Sequence, residues 1–570
     1  MTSMTLRQHA SGGPAKGLLW LLLFLVALLS LLPSLRLLVS ALVDGRHGSD
    51  SSLWRVMSNP STWLALWHSL YTSGLGMLLS LLLGSLFAFC LALTNIRLKQ
   101  VWVFLFMLPM MIPPQVTALS WLQLLGPGSI LLNSIGLAPG FGSSNPLYSA
   151  EGIALLLGIQ HAPLVFLALR TQLQCLPKEH IEAARLHGAS LWRVFFDIVL
   201  PLCRTALWAG AAIAFVSALG NFGIPAMLGI PISYFVLPVY IYQTLSSFGP
   251  AMLNDVAALS VLMGMLAIGI VTLQGHMQRR NALPLIGMAG RALGFTLGKW
   301  RLAVELLLAA VLCAILLAPL VALITTSLVP TLGVALNSET LTFAAWRGIF
   351  DAQSATLRAL SNSLFLSISA AVVLMLLSLP LAWLLVRYPN RPLRWLYLII
   401  DIPYTLPGVV LAIACILLFA RPLPLIDISL SGTLGIIFFA YLARFLTVCL
   451  KPVHSSMLQL DPAMEEAASL AGANFSRRLR HIVLPLLAPA AFAGALLVFL
   501  TAVNELTVSA LLWSAGKETL GVVIFNLDES GDKVLASALS VLVVILVALV
   551  MLLLSALGRY LPKGVIPWQS

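Results

Sequence analysis

Long apolar stretches recur along the chain, each separated from the next by a short polar or basic cluster. A hydrocarbon layer about 30 Å thick needs about 20 mainly apolar residues in helical form, because every backbone polar group must be satisfied within the segment. Twelve stretches meet that requirement: 17–42, 65–93, 101–125, 152–175, 203–228, 253–275, 302–328, 362–387, 395–420, 431–450, 486–513 and 535–557. The pattern predicts an all-α polytopic membrane protein of about 12 transmembrane helices.

The polar clusters fix an orientation. With the N-terminus in the cytoplasm, 23 Lys and Arg fall in inside segments and seven outside, while Arg36 and Arg444 lie within spans, as the positive-inside rule requires. Both termini are therefore expected to be cytoplasmic. The first apolar run follows only Arg7 and Lys16 and lacks an A-x-A-like site, so no cleavable export signal is expected. Composition agrees: of 570 residues 60% are hydrophobic and 9% charged, against roughly 25% charged in soluble domains. The formal net charge of +12 is a topology signal and calls for no nucleic acid. The longest loops, 276–301 and 329–361, fall short of the ~50 residues of a small catalytic domain. Gly294–Trp300 imitates a phosphate loop but is one residue short of GxxxxGK and has Trp300 where Ser or Thr should hold magnesium. The six cysteines have no metal or redox spacing, so they are expected to be small buried apolar residues.

Two inside loops are copies of each other. Glu182-Ala183-Ala184-Arg-Leu-His-Gly188-Ala-Ser190, running on to Ile198-Val-Leu-Pro201-Leu, corresponds to Glu466-Ala467-Ala468-Ser-Leu-Ala-Gly472-Ala-Asn474, running on to Ile482-Val-Leu-Pro485-Leu. The offset is 284, and twelve of 21 positions are identical without a gap. Leu66–Leu70 answers Leu360–Leu364, and Pro109–Pro113 answers Pro403–Pro407, both at offset 294, so ten extra residues in the first half are assigned to loop 126–151. The chain thus divides into 1–60 (tail, first helix and external loop), a first core 61–275 with the loop 177–201, a basic linker 276–301, an extra helix and external loop 302–355, a second core 356–557 with the loop 461–485, and a tail 558–570. These are two tandem homologous six-helix halves of the same polarity. Each repeated loop predicts a short helix ended by a left-handed glycine, Gly188 or Gly472, and a second helix capped by Ser190 or Asn474 that runs to the Leu-Pro. Asp461-Pro462 adds an N-cap followed by proline at the first helical position.

These loops resemble the EAA loop of the permease subunits of binding-protein-dependent ABC importers (type I permease fold), and the fused pair is most similar to the ferric-iron and thiamine importer permeases. The resemblance covers roughly 60–275 and 355–557. It implies that the EAA helix docks in a groove of a separate ATPase and carries the movement of nucleotide-driven closure into the membrane. The docking role then falls to Glu182, Ala183, Ala184, Gly188, Glu466, Ala467, Ala468 and Gly472. It also implies an ABC ATPase subunit dimer using ATP and Mg, a periplasmic solute-binding protein, a bacterial inner-membrane location, and no cofactor bound by this chain.

Charged groups inside a membrane cost about 2.5–3.5 kcal/mol each by insertion scales and so invite functional readings. Glu505, beside Asn504, and Asn221 at the equivalent position of the first half are the candidates for lining the translocation path. Helix–helix hydrogen bonding is the structural alternative for them. Asp401, Glu305, His161 and the run Met107, Met110, Met111 are expected to be structural, with no metal site among them. Ferric iron leads as solute by resemblance alone, with thiamine, polyamine, phosphonate or sulfate-like solutes as alternatives. A twelve-helix transporter driven by an ion gradient is the alternative class.

Overall fold

The computed structural model describes residues 13–44, 51–140, 142–174, 176, 178–247, 252–281, 295–351, 354–387, 391–422, 427 and 429–558. Arg7, Arg291, Arg559, Lys563, Cys175 and Gly294 lie outside the described residues, as do most of the linker and the C-terminal tail.

Among the described residues the secondary structure is helical, apart from one isolated bridge between Thr94 and Phe295. The chain opens with α1 (Gly13–Val26), α2 (Leu32–Asp44) and α3 (Ser52–Ser58). The first core follows as α4 (Pro60–Leu93), α5 (Lys99–Met111), α6 (Pro114–Leu125), α7 (Ile130–Ser134) and α8 (Ala150–Gln174), then α9 (Lys178–Leu186), α10 (Leu191–Val194) and α11 (Leu200–Leu219), and closes with α12 (Gly223–Gly229), α13 (Leu237–Leu245) and α14 (Met252–Asn281). Next come α15 (Arg301–Leu312), α16 (Ala318–Thr326) and α17 (Ala344–Ile349). The second core repeats the first as α18 (Ala355–Arg387), α19 (Arg391–Thr405), α20 (Gly408–Phe419), α21 (Leu434–Gln459), α22 (Ala463–Leu470), α23 (Phe475–Arg478), α24 (Leu484–Val503), α25 (Ser509–Leu512), α26 (Leu520–Glu529) and α27 (Lys533–Leu557). Local chemistry sets the starts: the Asn59 side chain accepts the Ser61 N–H ahead of Pro60, and Thr433 accepts the Gly435 N–H. The connection between α6 and α8 is 126–149 and that between α20 and α21 is 420–433, which places the ten extra residues where the repeat offset puts them.

Among the described residues ten helices are long and apolar enough to cross a membrane, and three further helix pairs pass the same test only as bent pairs. Here the structure corrects the predicted spans. Segments 101–125 and 395–420 are not single rods: Lys99–Met111 and Pro114–Ser134 meet at 99°, and Leu393–Thr405 and Gly408–Phe419 at 104°. The cause is the same in both, because Pro113 and Pro407 hold an extended ψ near 140° and proline disfavours helical geometry in the residue before it. Predicted spans 203–228 and 486–513 are also cut, with α11 ending at Leu219 and α24 at Val503. A further bent pair, Gly223–Ile232 with Leu237–Leu245 at 74°, overlaps the predicted spans only at 223–228.

A wide turn precedes four of the prolines. Residues Ala27–Leu31, Phe195–Val199, Cys313–Leu317 and Leu479–Val483 form single π-turns, and the next residue donates its N–H five residues back, as Leu200 does to Phe195. In each case proline follows one position later, at Pro33, Pro201, Pro319 and Pro485. A proline inside a helix clashes with the carbonyl four residues before it, and a π-turn opens the spiral at that point. The second helix of each repeated loop therefore does not stop at the Leu-Pro: Trp192–Leu219 and Ser476–Val503 run through as continuous spans.

Two compact units emerge. One comprises 1–44, 359–519 and 549–570; the other comprises 45–358 and 520–548. In the first, α2 packs on α20, and Arg36 donates to the Leu417 carbonyl at 3.3 Å, which gives one of its guanidinium donors a partner. Cys449 of α21 sits under Gly494 of α24, where a Cβ would lie 2.9 Å from the Cys449 carbonyl. In the other unit, α16 packs on α6 and α4 lies along α8. That contact is close because Gly76, Ser80 and Gly84 recur every fourth residue on α4: Ser80 donates to the Gly158 carbonyl at 2.8 Å, and a Cβ on Gly84 would stand 2.6 Å from the Ala162 carbonyl. The helix that precedes each core in sequence thus packs against elements of the other core.

Candidate functional site

The two repeated loops fold alike bond for bond. In the first, Gly188 donates to the Arg185 carbonyl at 3.0 Å and Ala189 to that of Ala184 at 3.0 Å. In the second, Gly472 donates to Ser469 at 3.0 Å and Ala473 to Ala468 at 2.9 Å. Both glycines have φ +80°, so each loop ends its first helix in a Schellman motif with glycine at the left-handed position. The next helix starts where predicted, with Arg193 N–H on Ser190 Oγ at 3.3 Å and Arg477 N–H on Asn474 Oδ1 at 2.9 Å. Asp461 accepts the Ala463 N–H at 2.9 Å, one residue later than the predicted proline start.

Glu182, Ala183, Gly188, Glu466, Ala467 and Gly472 are exposed, and Ala184 and Ala468 are half-buried. Each helix also offers an apolar residue that charge and breaker arguments overlooked: Leu186 is 87% exposed and Leu470 90% exposed. They occupy the same register, and their identity across the repeat was the available signal. An isolated exposed leucine is ordinary; these two stand at repeat-equivalent tips of turns with the same backbone geometry.

Glu505 and Asn221 take the same backbone job in their respective units. Each follows the C-cap residue of a broken span, Asn504 or Gly220, and its side chain caps the helix that restarts beyond. Glu505 accepts the Val508 N–H at 2.9 Å and the Ser509 N–H at 3.3 Å; Asn221 accepts the Ile224 N–H at 3.2 Å. Both are buried, at 8% exposure. Glu505 has a charged neighbour that sequence reasoning left uncounted: Arg444 of α21 exerts an attraction on its carboxylate. The Arg444 guanidinium lies against Gly408, where a Cβ would come 2.6 Å from Nη1 and 2.9 Å from Thr507 Cγ2. Its Nη1 is buried without a hydrogen-bond partner. At offset 284 Arg444 answers Gln160, whose amide donates to the Ile112 carbonyl at 2.9 Å and accepts from Thr117 at 3.0 Å. Where the first half carries the neutral residues Gln160 and Asn221, the second carries Arg444 and Glu505.

The residues expected to be structural make local contacts. Asp401 pairs with Lys451 at 3.4 Å, and Glu305 pairs with Arg301 at 2.9 Å while accepting the Arg97 N–H. His161 is 7% exposed with Nδ1 2.8 Å from the Leu157 carbonyl, and Met107 and Met111 are buried. Cys203, Cys415 and Cys449 are buried as expected, whereas Cys313 is exposed on α15–α16. A cavity of about 430 Å³ is lined by Gln123, Ser129, Asn145, Tyr148 and Lys533 among others. The first half's longer loop supplies much of that lining.

This duplicated architecture has a family. The model of the binding-protein-dependent transport system inner membrane component matches residues 80–280 and again 378–567, and the chain belongs to that family. It is a fused two-half permease of an ABC importer, a multi-pass inner-membrane protein whose relatives are transport subunits. The chain is 24% identical over 553 residues to the ferric transport system permease protein FbpB of Actinobacillus pleuropneumoniae, covering 94% of this chain and 77% of that one. It is 28% identical over 390 residues to the "Probable ABC transporter permease protein y4fN" of Sinorhizobium fredii, 67% of each chain. It is also 30% identical over 200 residues to the molybdenum transport system permease protein ModB of Escherichia coli, 34% of this chain and 84% of that one.

Proposed function

We propose that this permease imports ferric iron delivered by a periplasmic binding protein, driven by an ATPase dimer that consumes ATP and Mg and docks on α9 and α22. The observation that carries the docking is the pair of identical helix–glycine–helix knobs tipped by exposed Leu186 and Leu470. A rigid knob transmits a push that a floppy loop would absorb, and its small Ala183 and Ala467 let a partner groove approach closely. Glu182 and Glu466 offer charge-assisted contacts to a basic partner. Glu505, Asn504 and Asn221 stand at the breaks of the fifth span of each half, where a path through the bundle would be gated. Both termini face the cytoplasm, on the side of the ATPase. Alternating access follows from differential affinity of nucleotide-loaded ATPase for the two states.

Iron rests on the FbpB relative. An oxyanion is the second reading, supported by the buried Arg444 Nη1 and by the molybdenum permease relative. Affinity purification of the tagged protein with mass spectrometry of its companions tests the docking, and uptake of radioactive ferric iron against molybdate tests the solute. A permease that purifies without an ATPase yet transports down an ion gradient in liposomes would refute the proposal.

A further inference from the structure

The two docking helices are joined to their own halves by different chemistry. In the second half, Glu465 of α22 is held at both carboxylate oxygens: Arg387 Nε donates to Oε1 at 2.7 Å and Trp383 Nε1 to Oε2 at 3.0 Å. Arg387 also donates to the Leu460 carbonyl at 3.3 Å, just before α22 begins. The ion pair is mostly shielded, with side-chain exposures of 17% and 12%. Trp383 and Arg387 occupy the last turns of α18, a 33-residue membrane helix. In the first half the equivalent positions hold Phe89, Leu93 and Ile181, at offsets 294 and 284. Leu93 and Ile181 are buried, and Phe89 packs edge-on against Phe195 at 5.0 Å. At all three positions the first half is apolar where the second is hydrogen-bonding.

We propose that Glu465, Arg387 and Trp383 form a positioning clamp that makes α22 and α18 one rigid body, so that movement of the second docking helix passes directly into the membrane helix. The inference rests on α22 being an ATPase-docking helix. Apolar packing permits sliding, whereas a carboxylate held by two donors of fixed direction does not, because the planar guanidinium and indole N–H fix both distance and angle. The first half, seated by Ile181 and Leu93, has no such directional lock at those positions, so the two ATPase contacts are mechanically unequal.

The test uses the full permease with its co-purifying ATPase in nanodiscs. Spin labels go on exposed Ser469 of α22 and lipid-facing Leu376 of α18, and on the equivalent Arg185 and Leu82 of the first half. Between nucleotide-free and ATP-vanadate states the 469–376 distance is expected to change by less than about 2 Å, the scale of shifts between packed helices. In Glu465→Gln it is expected to change or broaden by more than about 5 Å, one helical turn, while the 185–82 distance behaves as in the unmodified protein and the ATPase stays bound. Trp383→Phe places the first half's side chain at that position and removes only the indole donor, so it serves if Glu465→Gln fails to fold; intermediate broadening is expected. An unchanged 469–376 distance in the variants with ATPase bound overturns the clamp, as does ATPase loss from Glu465→Gln alone. Absence of ATPase from the unmodified permease overturns the docking reading instead.

Discussion

The turn glycines offer a graded test of the docking geometry. Gly188 and Gly472 sit at φ +80°, and a Cβ built on either meets no atom within 4 Å. Substitution there is sterically free, so its whole effect comes from the backbone. A left-handed conformation costs an ordinary L-residue about 1–2 kcal/mol, more when the side chain is β-branched, while asparagine visits it readily. Since 1.4 kcal/mol is tenfold, Ala at both positions should weaken ATPase retention by about fivefold to thirtyfold per site, and Val by more than about thirtyfold. Asn should stay within about twofold, a few tenths of a kcal/mol. The assay is ATPase retained per permease after affinity purification, with thermal unfolding in detergent as a control that should not move. The order Asn, Ala, Val is the signature of backbone strain. Full retention by the valine variant, or equal losses for Asn and Val, would refute the reasoning.

Further consequences concern packing and the buried charges. Gly84→Val drives a Cβ into the Ala162 carbonyl and Val165 Cβ at 2.6 and 2.7 Å and is expected to destabilise the fold by about 1–3 kcal/mol or more, read as a lower melting temperature. Glu505→Asn alone strands Arg444, whereas Glu505→Asn with Arg444→Gln reproduces the first half's neutral residues. A double-mutant cycle on unfolding should therefore return a coupling of about 1–3 kcal/mol, and additive losses would disprove the pairing. Leu186→Ser with Leu470→Ser should release the ATPase without lowering the melting temperature, because both side chains are almost wholly exposed. Arg55→Gln removes a 2.6 Å pair with Asp255 whose arginine is half exposed and should cost less than about 1 kcal/mol in the same melting assay.

The repeated loops were legible residue by residue because their information is local. Glycine at positive φ, Ser190 or Asn474 at an N-cap and Asp461 ahead of a proline each act on bonds within five residues. The bends at Pro113 and Pro407 were half-legible: the paired prolines were visible in the repeat, but hydropathy averages over them and returns one unbroken span. The extension of α10 through Pro201 was not legible, since it depends on a π-turn, a choice made by the surrounding helix, that accommodates the proline there. Asn221 and Glu505 stood out as polar residues in apolar runs. Their capping role needed the knowledge that the span breaks one residue earlier, and the partnership with Arg444 joins positions 61 residues apart.

By itself, then, the chain determines what depends on hydropathy and local backbone chemistry: a multi-spanning membrane protein, two tandem halves, the ten-residue insertion before α8, and two helix–glycine–helix turns. Tertiary structure alone decides which helix touches which. It packs α2 against α20 and α16 against α6, sets Arg36 on the Leu417 carbonyl, and joins Glu465 to Arg387 and Trp383 across about 80 residues. The physical reason is that lipid tails are as apolar as leucine, so hydropathy says that a helix enters the bilayer but not which neighbour it meets. Close-packed glycines and a few directional hydrogen bonds settle that, and both are visible only once the helices are side by side.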